Sequence, residues 1–253
     1  MALIASYITK FGIIQVSDFN QVIDGDNARD GQKIFPIPHL NASLVFSGSY
    51  SINGVAIGTW MNNLIEWSQS YLTTMDELSF HLYDKMNKEM LEDEKKAITE
   101  VYIAGYQRTE NRSYPEHWYI TNARRNGDDY YSPLGYFHDH NNFHPGEVEY
   151  HRTLLRKMDA DPMKYQFFIN GFPRGKIGND RAMPVKDKTD EILKYMLKRE
   201  DLKFSRPGNL SEFSNIAGLY FSFITELLKM DDGMEKYTGR EIHIHEIPAP
   251  SDI

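Results

Sequence analysis

The chain contains no cysteine, which excludes a disulfide framework and any thiolate metal site. No apolar run approaches the roughly 20 residues that a membrane-spanning helix needs. Basic residues are in the minority, 28 Lys and Arg against 36 Asp and Glu, for a formal net charge of −8. That balance argues against a nucleic-acid partner held by a broad basic surface. The first apolar segment lacks a basic start and is broken by Ser6, Thr9 and Lys10, so no signal peptide is predicted. The expectation is a soluble, cytoplasmic, globular protein without a membrane or nucleic-acid partner. At 41% hydrophobic residues over 253 positions there is ample material for a core. Length alone allows one large domain or two small ones.

What the sequence does have is concentrated at its front. Residues 1–50 hold short apolar runs, Leu3–Ile8, Ile13–Val16 and Leu44–Phe46, punctuated by Lys10-Phe11-Gly12 and Asp24-Gly25-Asp26. Runs of that length, rich in Ile and Val and bounded by turn residues, predict strands. The first strand begins almost at the terminus, where most chains fray. The Gly- and Asp-rich stretch 24–31 predicts a tight loop. Its alternating acids lack the closing glutamate of a calcium loop.

Further along, Ile57, Trp60, Met61, Leu64, Ile65, Trp67 and Tyr71 recur at helical spacing. Thr74 and Glu77 have the spacing of a capping box, opening a second helix whose Leu78, Leu82, Met86 and Met90 share one face. Its methionines read as core packing. Glu100–Tyr106 and His117–Thr121 predict a hairpin with a long connection, TENRSYPE. Gln166–Asn170 predicts another strand. Helical patterns return at Thr189–Arg199 and Leu210–Met230, the latter begun by Ser211 with Phe213 and ended by Asp231-Asp232-Gly233. Glu241–Ile247 alternates with period two and closes the chain as a half-buried strand. Strands grouped apart from helices define an α+β class.

The N-terminal strand, the KFG turn, the strand ending at Asp18, the QKIF segment and the strand ending FSGS together resemble proteasome β-type subunits, members of the N-terminal nucleophile (Ntn) hydrolase superfamily. The resemblance covers residues 1–50 and is only a pattern beyond them. It implies a four-layer αββα sandwich forming one domain over 1–253, with an insertion around 107–165. It also implies a peptide or small amide as substrate, self-association into a homo-oligomer, and no cofactor. In that family the first mature residue is Thr, Ser or Cys, whose own amine serves as base. The matching position here is Ala2, which becomes the free N-terminus if Met1 is removed. The family's aspartate and lysine match Asp18 and Lys33, and its oxyanion glycine matches Gly48. Gly171 fits a supporting turn beside the nucleophile. The Ala2-to-Asp18 spacing equals the family's, whereas Ala2-to-Lys33 is one residue short, implying a single deletion within 22–31.

The chemistry follows from these parts. A nucleophile of this type needs a hydroxyl or thiol, a cation that lowers nearby pKa values, and donors for the oxyanion. Lys33 would supply the cation, Asp18 would hold it, and Gly48 would let its N–H approach a carbonyl. A methyl group at position 2 cannot attack. Either a nucleophile has been replaced by engineering, or the protein is a natural pseudoenzyme. A non-catalytic assembly or binding subunit is the alternative function. Ser6 and Thr9 lie within the first strand, away from the terminal amine.

A second candidate is the histidine cluster: His138, His140 and His144, with Glu147, Glu149 and His151 following. His138 and His140 alternate onto one strand face and with His144 offer a weak zinc or iron set. Histidines in a polar insertion more often face solvent or bond neighbouring acids. His243 and His245 read as the polar side of an edge strand. Arg174 and Lys176 beside Gly171 could meet a phosphate, but they lack the P-loop order.

Overall fold

The computed structural model describes residues 4–18, 20–23, 27–97, 99–108, 113–121, 137–140, 166–170, 207–230 and 241–251, with 188, 191, 192 and 195. The chain is α+β with antiparallel sheets. Three long helices occur among these residues: α1 (Ile57–Tyr71), α2 (Met75–Glu89) and α3 (Leu210–Lys229). Two compact units emerge, Met1–Asp30 with Arg152–Ala249, and Gly31–His151 with Pro250–Ile253.

In the first unit β1 (Ile4–Thr9) and β2 (Gly12–Asp18) form a hairpin. The Thr9 hydroxyl donates to the Gly12 carbonyl at 2.9 Å and accepts from the Phe11 N–H at 3.1 Å. Gly12 has φ +151°, and a Cβ there would run into the Ile247 carbonyl oxygen and lie 2.8 Å from Leu210 Cδ2. Only glycine suits that turn. β12 (Gln166–Asn170) pairs with β1 and β13 (Ile242–Pro248) with β2, giving a four-stranded sheet in the order β12-β1-β2-β13. The period-two register puts Ala5, Tyr7, Ile14 and Val16 on one face. They pack with Phe213, Ala217, Tyr220, Phe221 and Ile224 of α3, each large apolar side chain so buried being worth about 1.5–3 kcal/mol. The opposite face is buried too, but it mixes Ile4, Ile8 and Ile13 with Ser6, Gln15 and Ser17.

The stretch predicted as a loop over 24–31 is partly strand: β3 (Asn20–Ile23) pairs with β4 (Asn27–Asp30). Asn-Ala-Arg-Asp has little strand propensity, so backbone pairing across the short connection, invisible to pattern, decides. α3 starts at Leu210 as expected, but the residue that caps it lies two positions before Ser211. Asn209 is its N-cap, its side-chain oxygen accepting from the Glu212 N–H at 2.9 Å.

In the second unit the sheet order is β11-β10-β9-β6-β5: β5 (Ile34–Ile37), β6 (Ala42–Ser47), β9 (Glu100–Arg108), β10 (Ser113–Thr121) and β11 (Phe137–His140). Two short strands, β7 (Ser51–Ile52) and β8 (Val55–Ala56), lead into α1. One sheet face, with Phe35, Leu44, Phe46, Val101, Ile103, Trp118 and Ile120, forms a core with Trp60, Met61 and Leu64 of α1 and Leu78, Leu82 and Met86 of α2. Thr74 and Glu77 make both halves of the expected capping box. The expected hairpin connection is shorter than TENRSYPE, because Ser113–Glu116 belong to β10 and pair with Gly105–Arg108. Pro115 is tolerated there because it lies beyond the residues that β11 pairs, so no ladder bond is lost on that side.

Candidate active site

Of the residues singled out at the front of the chain, Asp18 ends β2. It pairs with Ile242 and is 0% exposed, and its neighbour Ser17 pairs with Ile4 at the start of β1. Lys33 immediately precedes β5 and is 2% exposed; its carbonyl accepts from the Phe46 N–H at 2.9 Å. Neither residue is without an interaction partner. Aspartate and lysine are almost never fully buried unless paired or hydrogen-bonded, because desolvating either charge costs several kcal/mol. A burial of this kind at two positions is a departure from ordinary surface placement.

Gly48 follows β6 directly, is exposed, and has φ +135°, a backbone conformation that disfavours any side chain. The antiparallel register of β5 and β6 brings Lys33 and Gly48 to the same end of that strand pair. Asp18 belongs to the first unit and the other two to the second.

Sequence reasoning missed the residues that fix the turn after Gly48. The Glu94 carboxylate accepts from Ser51 Oγ at 2.6 Å, Asn53 N–H at 2.8 Å, Gly54 N–H at 3.0 Å and Leu91 N–H at 2.9 Å. Partial burial pushes its pKa up, but these donors outweigh it and leave the carboxyl below its ordinary range. Ser49 is tied in as well: its N–H donates to Thr99 Oγ1 at 3.3 Å and its hydroxyl to the Ser51 carbonyl at 2.8 Å. Asn53 and Gly54 both have positive φ, as a two-residue hairpin turn of the Asn-Gly kind requires. That dipeptide was the available signal. A carboxylate forty residues away, with four donors converging on it, has no local signature.

Other candidates are placed differently. Ala2, Gly171, Arg174, Lys176 and His144 lie outside the described residues, as does most of the stretch taken as an insertion. His138 and His140 stand on β11, opposite Ile120 and Trp118. Among the described residues no group of three or more His, Cys, Asp or Glu side chains is placed to hold a metal. His243 and His245 lie on β13, an edge of the four-stranded sheet as described, opposite Ser17 and Gln15. Burial lowers the His245 pKa, although Glu246 opposes this. Ser6 is 1% exposed within β1, and Thr9 serves the turn. No helix among the described residues is long and apolar enough to cross a membrane.

No family model and no curated protein matches the sequence. Two solved structures are similar to the chain. One is eukaryotic HslV from Trypanosoma brucei, 9% identical over 97% of this chain and 99% of that one, with a TM-score of 0.48. The other is the Anbu (Gly-1) mutant from Hyphomicrobium sp. strain MC1, 12% identical over 98% of this chain and 82% of that one, with a TM-score of 0.44.

Proposed function

We infer that this protein is a proteasome-like Ntn-type amide or peptide hydrolase scaffold in which Ala2 occupies the nucleophile position. The observation that carries the reading is the burial of Asp18 and Lys33, at the ends of strands where an N-terminal nucleophile site requires a carboxylate and an ammonium. The exposed, positive-φ Gly48 beside Lys33 supports it, since an oxyanion donor must be open to substrate and free of a side chain. In this reading Lys33 lowers the pKa of a hydroxyl or thiol placed at position 2. Asp18 orients the lysine, and the Gly48 N–H receives the oxyanion. A single αββα domain over 1–253 belongs to the same proposal, each unit supplying one sheet with helices on one face.

The experiment is to replace Ala2 by Thr, Ser and Cys, to establish the mature N-terminus by mass, and to assay fluorogenic peptide and small amide substrates. Hydrolysis by at least one variant that begins at residue 2, abolished by Lys33→Met, supports the hydrolase scaffold. Correctly processed, folded variants that remain silent favour the second reading, a non-catalytic assembly or binding subunit.

A further inference from the structure

β6 ends at Ser47, opposite Glu100 at the start of β9, so the segment that enters β9 runs beside the segment that leaves β6. Three hydrogen bonds from outside hold the residues that follow Gly48. Thr99 Oγ1 accepts from the Ser49 N–H, the Tyr50 carbonyl accepts from the Ile57 N–H at 2.9 Å, and Glu94 accepts from Ser51 Oγ at 2.6 Å. The Ser49 hydroxyl joins the first of these to the last, because it donates to the Ser51 carbonyl. All of these residues belong to the second unit.

Of the three anchors Glu94 is the ionised one, and hydrogen bonds to a charged acceptor are roughly twice as strong as neutral ones. Its two oxygens divide the donors. Oε1 takes Ser51 Oγ and the Gly54 N–H, and Oε2 takes the N–H groups of Asn53 and Leu91. Four donors fill the roughly four acceptor directions of a carboxylate. Ile52 already anchors the β7–β8 hairpin in the core beneath α1 and α2, while Asn53 to Ala56 are exposed. What the carboxylate adds to that anchor is a fixed course for the chain between Gly48 and Ser51.

A fixed course is what an oxyanion site requires. A backbone N–H that meets an oxyanion must stand about 2.7–3.1 Å from it before reaction, and a misplacement near 1 Å can cost about 100-fold in rate. Glycine makes this hard, since without a side chain its backbone is free to swing between conformations. Gly48 is exposed and sits at φ +135°, so burial does not hold it. Its neighbours do: Ser47 in the β6–β9 ladder before it, and Ser49 to Ser51 after it.

We propose that Glu94 is a positioning residue for the Gly48 N–H, acting through Ser51 and Ser49, an assignment that rests on the hydrolase reading in which that N–H receives the oxyanion.

Isotope labelling of the glycine nitrogens in the full chain tests the coupling without any activity. The Gly54 amide donates to Glu94 and reports the carboxylate directly, while Gly105, on β9 of the same unit, reports general damage. Two variants are compared with wild type: Glu94→Gln, which keeps one acceptor oxygen, and Ser51→Ala, which leaves the carboxylate in place but cuts its link to Ser49. In both, the Gly48 amide resonance is expected to shift or broaden while Gly105 stays in place. A Gly54 resonance that moves in Glu94→Gln while Gly48 does not, or a Gly48 shift no larger than that of Gly105, overturns the proposal. In a hydrolytic Ala2 variant that begins at residue 2, Glu94→Gln is expected to lower kcat roughly 10- to 100-fold and to change KM less than about twofold. A raised KM with kcat intact would make the hairpin a substrate contact instead, and also overturns the proposal. If every Ala2 variant is silent, the hydrolase reading fails, and the glycine resonances still decide whether Glu94 holds Gly48. If Glu94→Gln does not fold, Ser51→Ala decides by both readouts.

Discussion

The helices over the five-stranded sheet and the helix over the four-stranded sheet meet solvent by different means. On α1 and α2 the outward aromatic groups are tied to one another or to charges. Trp67 stacks on Tyr71 at 5.0 Å and on His81 at 4.1 Å. Trp60 donates to Glu89 at 2.7 Å, Glu89 accepts from Lys85 at 2.5 Å, and Lys85 lies 5.6 Å over the Trp60 ring. All of these but Tyr71 line a groove of about 510 Å³, in which Lys85 pairs with Glu89 and Lys88 with Asp84. α3 instead leaves Leu219, Phe223 and Met230 exposed, with one flanking ion pair between Lys229 and Glu226.

The most severe way to probe that difference is to remove one core side chain from each unit. Phe221 and Leu82 are both fully buried. Phe221→Ala is expected to cost about 4 kcal/mol and Leu82→Ala about 3 kcal/mol, as core truncations do. Trp60, Trp67 and Trp118 are the chain's three tryptophans, and all belong to the second unit, so indole fluorescence reports that unit alone. If the proposed single domain is right, Phe221→Ala lowers the urea midpoint seen by fluorescence as much as that seen by circular dichroism. A fluorescence midpoint left in place would show two independently folding units.

Close backbone approach separates the units next. Gly12→Ala combines a positive φ with a carbonyl that cannot swing aside, and is expected to cost about 3 kcal/mol. Gly105→Ala is expected to cost about 2 kcal/mol. Its Cβ would press on the Ala42 Cβ and lie 2.8 Å from both the Ala42 Cα and Met75 Sδ; the methionine can move and the strand cannot, but Gly105 carries no positive φ. Equal losses by chemical denaturation would contradict the assignment of the extra Gly12 cost to its positive φ.

The second faces of the two sheets differ in what they hide. The four-stranded sheet buries Ser6, Gln15 and Ser17, whereas the five-stranded sheet buries His117, stacked at 5.7 Å on Tyr102. Burial lowers the His117 pKa from 6.5 to about 4. Above pH 6.5 the ring is neutral in both folded and unfolded chains and contributes no pH dependence. As pH falls from 6.5 toward 4, the unfolded chain takes up a proton that the folded chain refuses, so stability drops by about 2 kcal/mol between pH 6.5 and 5. His117→Gln should remove that slope, read as the urea midpoint at each pH. A slope unchanged by the substitution assigns it to other groups.

How far these features can be read from sequence depends on whether their cause is local. The Thr74–Glu77 box was legible because both partners lie within four residues. The start of α3 carried the same Asn-x-x-Glu signal at Asn209 and Glu212, but Ser211 competed for it. β1 and β2 followed from short Ile- and Val-rich runs bounded by turn residues, and β13 from period-two alternation. β4 did not, because Asn27–Asp30 becomes a strand by pairing rather than by composition. At the candidate site, position and residue type could be aligned, yet the burial of Asp18 and Lys33 depends on chain segments far away in sequence. Glu94 is the extreme case: its hydrogen bonds to Ser51, Asn53 and Gly54 join residues with no common pattern.

The mildest comparison concerns the two helix caps, which are chemically alike and sit in different units. Thr74 Oγ1 accepts from the Glu77 N–H at 3.1 Å, while Glu77 accepts in return from the Thr73 and Thr74 N–H groups at 2.8 and 3.2 Å. These donors, those of Thr73 foremost, hold the Glu77 carboxyl below its ordinary range. Asn209 is matched by Glu212, which accepts from the Gly208 N–H at 2.7 Å and from Asn209 Nδ2 at 2.9 Å. Thr74→Ala and Asn209→Ala are each expected to cost about 1 kcal/mol, with Thr74→Ser and Asn209→Asp restoring most of it. Because Glu77 accepts as a carboxylate, with its pKa lowered, the cost of Glu77→Gln should shrink as pH falls through the carboxylate range, and urea midpoints at pH 7 and pH 3 would measure it.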